Sequence, residues 1–383
     1  MSTSMRMGVD VGGTFTDFVL VDGLRDRIYT GKRLTTGDPS QAILDGTQHL
    51  LDEASVAISQ IAGVIHGTTL VANTVIQRSG AKVGLITTAG FRDSIAIGRE
   101  LRYDLYDLFL ELPRPLVPRH LRMEVDERLD ALGTVLRPLN EAQVRTVVAQ
   151  LLAERVKAIA ICFLHAYRND AHEQRARAIV QEMAPGVPVC ISSEVAPEIR
   201  EFERSSTTVA NAYVQPLMQG YLARLDEQLK ALGLVGHVHV MLSGGGATTI
   251  PAAQEFPIRL IESGPAAGAM AASFYARLMG LEHVISFDMG GTTAKMCLID
   301  EFRPQHAHEF EAARVQRFRK GSGLPLKVPV IDLIEIGAGG GSLARIDTMG
   351  LLKVGPESAG ADPGPVCYGR GGERSAVTDA DLV

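Results

Sequence analysis

Two short runs of this chain combine an acid, two glycines and a threonine at one spacing. Asp10-Val11-Gly12-Gly13-Thr14 is the first, and Asp288-Met289-Gly290-Gly291-Thr292 repeats it far downstream. Each lies between β-prone runs; Val9 and Val11 alternate with Asp10, and Phe18 to Val21 is apolar. The pattern predicts a strand, a tight turn and a second strand. Glycines at such a turn are expected to take positive φ. Without Cβ atoms they also let backbone N–H groups approach an anion, and Thr14 and Thr16 add hydroxyl donors beside it. Asp10 and Asp17 would repel a phosphate unless a cation lay between, which points to Mg²⁺. Taken alone, either run also reads as an ordinary glycine hairpin with exposed acids. Two separated copies favour two similar lobes facing one ligand. No G-x-x-x-x-G-K-[ST] run is present, which argues against a P-loop enzyme.

Other residues are candidates for contact with a small molecule. Ile61 to Ile65 reads as a strand ending in His66-Gly67-Thr68-Thr69, so His66, Thr68 and Thr69 fall at a strand-to-helix junction, where α/β folds place ligands. A histidine that caps local backbone is the equal alternative. The stretch 90–112 is rich in charge and aromatics: Arg92, Arg99 and Arg102 suit a carboxylate or phosphate, while Tyr103, Tyr106 and Phe109 are expected to pack a lobe interface, with flanking a substrate as the alternative. Ser243 to Gly246 and Glu262 to Gly268 place glycines after apolar runs, the second after Ile258–Ile261. Both are expected at strand ends, where amides can meet phosphate or ribose. The glycines at 337–341 are, by themselves, a poor dinucleotide signal.

The elements that must position these residues alternate in type. A third strand is expected at Arg27–Leu34, a helix begins at Asp38-Pro39, and Asn140 caps another. Buried strands follow at 158–164 and 187–191. A mostly helical stretch, 198–232, should break at Pro216. This is an α/β protein with a largely parallel sheet. At 383 residues two domains are expected, with 1–200 carrying the first hairpin and 201–383 the second. Net charge is −6, from 38 basic and 44 acidic residues, with no basic tract, so nucleic acid is a poor ligand. Four scattered cysteines read as free thiols in a reducing, cytoplasmic setting. No apolar run reaches the ~18 residues of a membrane helix, and the N-terminus has no signal-peptide core.

Paired DxGGT hairpins are similar to those of the sugar kinase, actin and heat-shock chaperone ATPase superfamily. The resemblance implies two ribonuclease-H-like lobes that clamp ATP and Mg²⁺. More narrowly, the chain resembles the hydantoinase A / 5-oxoprolinase family, which also includes ATP-dependent ketone carboxylase subunits. The residues carrying this are DVGGTFTDFVLVD from Asp10, HGTT from His66, GFRD from Gly90 and FLHAYRN from Phe163. SGPAAG from Ser263, FDMGGTTAK from Phe287, EIGAGGGSLARID from Glu335 and GPESAGADPGPVCYGRGG from Gly355 complete it. The match runs from Met7 to the last residue.

The resemblance implies an enzyme that spends ATP to activate a poorly electrophilic carbonyl, either a cyclic amide or a ketone. It implies phosphate contacts from Gly12, Gly13, Thr14, Gly290, Gly291 and Thr292, with Thr293 and the glycines Gly339, Gly340 and Gly341 beside them. Asp10 and Asp288 would order Mg²⁺, and Asp17 is a weaker catalytic candidate. A second subunit of the hydantoinase B type, in a hetero-oligomer, is also implied. Lys295 departs from the family, where an acid is common, and is a candidate phosphate contact. Family chains usually continue past Val383, so the second lobe is expected to be truncated. Three functions compete: a cyclic-amide hydrolase subunit, a ketone carboxylase subunit, and a non-catalytic nucleotide-binding assembly subunit.

Overall fold

Alternation builds the first strand. In Met5–Val11, Met5, Met7, Val9 and Val11 are each no more than 3% exposed, whereas Arg6 and Asp10 face outward. The structure, a computed structural model, describes the chain apart from residues 1–4, 14, 24, 36–38, 292, 317–318 and 361 and the side chain of Pro39. Thr14, Thr292 and the expected helix cap Asp38 therefore lie outside the described residues.

Met5–Val11 sits inside a six-stranded sheet. Its order is Ala247–Thr249, His237–Met241, Ile61–Thr68, Met5–Val11, Phe15–Asp22, Arg27–Leu34. The last three form an antiparallel meander, and Ile61–Thr68 runs parallel to Met5–Val11 on its other side. A second, four-stranded sheet is all parallel: Val189–Ile191, Ala158–Cys162, Val83–Thr88, Arg122–Val125. Every residue of Val83–Thr88 and Ala158–Cys162 is buried, as both faces are covered. The long helix Glu201–Ala231 packs against both Ala158–Cys162 and the helix Leu70–Ile76. It joins the two sheets into one apolar core. Residue 200 thus lies inside this assembly, and His237–Met241 belongs to the first sheet.

A third sheet carries the second hairpin. His283–Met289 pairs with Ala294–Asp300, which also pairs with Arg303–Pro304 and Ile334–Ile336. The helix Ser263–Met279 packs on it over a small core of Ala266, Ala269, Cys297, Ile299 and Ile331.

Several local expectations are corrected. The helix Glu201–Ala231 runs through Pro216 without ending; burial of its face against two sheets outweighs the missing N–H. Residues Pro257–Leu260 form a 3₁₀ turn rather than a strand. After the second hairpin, Arg303–Pro304 alone of residues 303–310 pairs with it. The strand Ile61–Thr68 runs on through His66, so that residue is in the sheet and not at its end. Cys162, Cys190 and Cys297 are buried thiols, and Cys367 is exposed. Among the described residues no helix is long and apolar enough to cross a membrane.

Candidate active site

Both glycine runs form the same turn. The Gly12 amide donates to the Phe15 carbonyl at 2.9 Å, and the Gly290 amide to that of Thr293 at 2.9 Å. The glycines are needed for space, not for φ. Neither Gly12 nor Gly13 adopts a left-handed φ, correcting the expectation, but a Cβ on Gly12 would lie 3.0 Å from the Phe15 carbonyl. Gly13, Gly290 and Gly291 are exposed at the turns.

The two hairpins face each other across one helix. The helix Ser263–Met279 begins beside the first: a Cβ on Gly264 would lie 3.3 Å from Asp10 Oδ1, and one on Gly268 would lie 3.9 Å from Asp288 Oδ2. These glycines are four positions apart, about 6 Å along the axis. Bare backbone therefore lines the gap between the two carboxylates. Gly67 is as close, since a Cβ there would come within 2.7 Å of Asp10 Oδ1. The start of the helix is held by Ser263, whose Oγ accepts from Thr68 N at 3.1 Å and donates to Thr68 O at 2.9 Å.

Asp10 is electrostatically perturbed. Burial in the cleft raises its pKa to about 6, followed by repulsion from Asp17 and Asp288, against a smaller opposing effect of Lys32. Asp17 is its direct cross-strand neighbour. Among the described residues nothing donates a hydrogen bond to the Asp10 carboxyl. A carboxylate crowded by two others and short of donors fits a cation. Among the described residues no three His, Cys, Asp or Glu side chains cage a metal unaided. Mg²⁺ takes one or two carboxylates and completes its shell with phosphate and water; Asp10 and Asp288 are the residues that would hold it.

The remaining candidates divide. Thr69 braces the first turn: its amide and hydroxyl both donate to the Val11 carbonyl, at 3.0 and 3.2 Å. Thr68 is buried, with its hydroxyl capping the following helix at Leu70 N. Thr16 is fully buried, and its hydroxyl meets that of Thr35 at 3.0 Å, pointing away from any anion. Asp17 is exposed and paired with Lys32 at 2.7 Å. His66 is buried away from the cleft. Its Nδ1 lies 3.3 Å from Val9 O, its Nε2 lies 2.9 Å from the Tyr221 hydroxyl, and burial lowers its pKa to about 4. It is a neutral link between sheet and long helix, which corrects its reading as a substrate contact.

Lys295 is not free for a phosphate; it pairs with Glu262, which is 7% exposed. Burial raises the Glu262 pKa and Lys295 opposes the rise. Gly339, Gly340 and Gly341 are buried, with their amides already committed. Gly340 and Gly341 donate to the carbonyls of Gly290 and Gly291 at 2.9 and 2.8 Å, and Gly339 donates to Ser342 Oγ. They brace the second hairpin rather than offer donors to a ligand. Arg99 is paired with Glu203 and Glu309, and Arg102 donates to the Asp107 carbonyl. Tyr106 and Phe109 project into solvent at 92% and 89% exposure, contrary to the packing expected.

Gly264 and Gly268 fall in the run 262–268 whose amides were expected to meet phosphate or ribose, here on a helix start rather than at a strand end. Gly67 and the pairing of Glu262 with Lys295 were not anticipated. Asn73, whose amide is 3.8 Å from where a Gly13 Cβ would be, carried no signal.

Comparison with known proteins agrees with this geometry. Residues 6–184 match the family model described as hydantoinase/oxoprolinase N-terminal region, and residues 204–383 match hydantoinase/oxoprolinase. An uncharacterised protein of Methanocaldococcus jannaschii is 43% identical over 100% of this chain and 57% of its own. The caprolactamase subunit alpha of Pseudomonas jessenii is 39% identical over 98% of this chain and 54% of its own. The crystal structure of ATP-dependent caprolactamase from that organism superposes with a TM-score of 0.84 at 37% identity, covering 98% of this chain and 54% of that one. A nucleotide-free acetone carboxylase structure superposes with a TM-score of 0.82 at 29% identity, with the same coverage. The chain spans little more than half the length of these proteins. The fold is the α/β, actin-like ATPase architecture that the paired hairpins implied.

Proposed function

The chain belongs to the hydantoinase/oxoprolinase family, and from that premise we propose that it is a subunit of an ATP-dependent enzyme that hydrolyses a cyclic amide. The supporting observation is the convergence of Asp10 and Asp288 from two like hairpins on one glycine-lined helix start. An amide has a poor leaving group, and a phosphoryl group transferred to its oxygen supplies a good one. The protein's share is positioning and charge neutralisation.

In this reading the exposed turns at Gly12–Gly13 and Gly290–Gly291 receive phosphate oxygens from either side, together with Thr14 and Thr292. The first turn of Ser263–Met279 adds its amides and dipole. Asp10 and Asp288 would hold Mg²⁺. When bound, that ion neutralises phosphate charge as the transfer proceeds. Glu262 keeps Lys295 beside the second hairpin, so its charge acts on the site without direct contact. A partner of the hydantoinase B type would complete the hydrolysis.

A ketone carboxylase subunit is the second reading, favoured by the superposition on acetone carboxylase. A non-catalytic nucleotide-binding subunit is the third, favoured by Lys295 where the family commonly has an acid. The test is phosphate release from Mg·ATP, with the partner subunit present, on adding lactams, hydantoins or ketones. Lactam- or hydantoin-stimulated release without bicarbonate supports the proposal. Release that requires bicarbonate supports the carboxylase reading, and nucleotide binding without turnover supports the third.

A further inference from the structure

Aligned on Asp10 and Asp288, the strands Met5–Val11 and His283–Met289 coincide residue for residue. Their cross-strand pairs agree as well: Val9 faces Phe18, and Phe287 faces Met296. What covers these residues differs. Met7, Val9, Val11 and Leu20 are no more than 3% exposed, whereas their counterparts Ile285, Phe287, Met289 and Leu298 are 64%, 59%, 41% and 42% exposed. Met296 is half-buried where Phe18 is buried. Ile334 and Ile336 stand opposite Met296 and Ala294 and extend the same face, also largely open. One side of the third sheet is therefore a continuous apolar surface over three strands; the helix Ser263–Met279 packs on the other side. An apolar face of this kind marks an interaction surface.

The first hairpin shows what such a face takes. The helix Pro39–Ala54 lies across it, so close that a Cβ on Gly46 would come within 2.1 Å of the Phe18 ring. The strand Ile61–Thr68 runs parallel along its edge. Val64, His66 and Thr68 of that strand stand opposite Met7, Val9 and Val11 and are buried with them. Gly67 stands opposite Asp10, where any side chain would strike the carboxylate. Among the described residues His283–Met289 has no strand on the matching edge.

We infer that this edge and face dock a β-strand and an amphipathic helix from a second polypeptide. The strand runs parallel to His283–Met289, with apolar residues at alternate positions and a glycine opposite Asp288. The helix lies across Phe287 and Met296 on a side of apolar and small residues. Such a unit has a source in the relatives: this chain covers only 57% and 54% of two of them, and the occupant belongs to the part left uncovered. A second copy of this chain, meeting the same edge about a two-fold axis, would pair antiparallel and not parallel. The inference goes beyond the cyclic-amide reading and holds for any substrate.

The test is co-expression of the tagged 383-residue chain with the part of caprolactamase subunit alpha that lies outside the match. The two should co-purify in equal amounts. Hydrogen exchange should slow by about tenfold or more across 283–289 relative to the chain alone, and stay unchanged across 5–11. Phe287→Asp and Leu298→Asp fall at exposed positions, so each should leave the melting temperature of the chain alone within about 2 °C. Each should weaken the complex by about tenfold or more. Leu132→Asp, in the exposed turn after Leu129, should leave the complex intact. Failure to co-purify overturns the inference, as does a complex that survives both Phe287→Asp and Leu298→Asp, or one lost equally in Leu132→Asp. Unchanged exchange across 283–289 in the complex overturns it too. So does a dimer of the chain alone that Phe287→Asp dissolves, which would give the face to a second copy. These readouts report assembly, so their failure leaves the cyclic-amide reading standing, and a lack of lactam-stimulated turnover leaves the docking surface standing.

Discussion

The two hairpins share a turn but differ in their support. The first stands in the middle of a six-stranded sheet, and its inward residues are almost wholly buried. Its turn carbonyls are held by Thr69, whose amide and hydroxyl both donate to Val11 O, and by the Thr35 hydroxyl, which donates to Gly12 O at 2.9 Å. The second is carried on His283–Met289, which among the described residues has a strand neighbour on one side only. Ile285 and Phe287 on that strand are 64% and 59% exposed. Its turn carbonyls are held by backbone amides from Gly340 and Gly341, some fifty residues later in sequence, and Thr378 in turn donates to Gly340 O at 2.8 Å. One motif therefore encodes the turn, and two unrelated segments fix it in place. The first site half is built by its own sheet; the second depends on distant chain and on whatever covers its open edge.

That asymmetry orders the expected effects of mutation on nucleotide affinity. The largest is for Asp10→Asn, which should cost about 100-fold in Mg·ATP affinity while the fold persists. Because the folded pKa of Asp10 is raised to about 6 from 3.8, its ionisation opposes folding once pH exceeds that lower value. The Asn variant should therefore melt higher than wild type above pH 6, and equal to it below pH 4, in thermal unfolding. By the same shift, wild-type Mg²⁺ affinity should fall about tenfold per unit as pH drops below 6.

Gly341→Ala comes next. Its Cβ would lie 2.8 Å from Ser358 Oγ and 2.9 Å from the Gly291 carbonyl. Displacing the second turn should cost about tenfold in affinity. Hydrogen exchange should quicken across 283–300 and stay unchanged across 5–22; equal change in both would erase the difference between the hairpins. Gly67→Ala should be milder, about threefold in affinity, because the Asp10 carboxyl it crowds at 2.7 Å can rotate away. The smallest effect on nucleotide is for Lys295→Met, within about twofold, but stability should suffer. The variant leaves Glu262 buried without its cation, so its pKa climbs further. The loss in unfolding midpoint should shrink as pH falls, because protonation relieves the unpaired buried carboxylate.

Much of this was legible in the sequence. The hairpins follow from Asp10–Val21 and its repeat, because a period-2 pattern and a glycine turn are local properties; the α/β order follows from the alternating strand and helix runs, and the family from the further motifs between His66 and Gly372. What was not legible depends on tertiary partners. His66 looked like a ligand-site residue, but its strand continues two residues further and turns its ring onto Tyr221. Gly339 to Gly341 looked like free donors, yet their amides are taken by carbonyls far back in the chain. Lys295 looked available until the fold brought Glu262 against it. Pro216 should have broken a helix that burial on two sheets keeps whole. The aromatics at 106 and 109 look like core and face water.

The most direct test of a single site shared by both hairpins is calorimetric titration of Mg·ATP into the wild-type chain and into Asp10→Asn and Asp288→Asn separately. The wild type should bind in an Mg²⁺-dependent way, alone or with the partner subunit. Each variant should lose about 100-fold, because each removes one of two carboxylates that meet at one ion. Loss in one variant with full affinity in the other would contradict it, as would binding unchanged when Mg²⁺ is chelated.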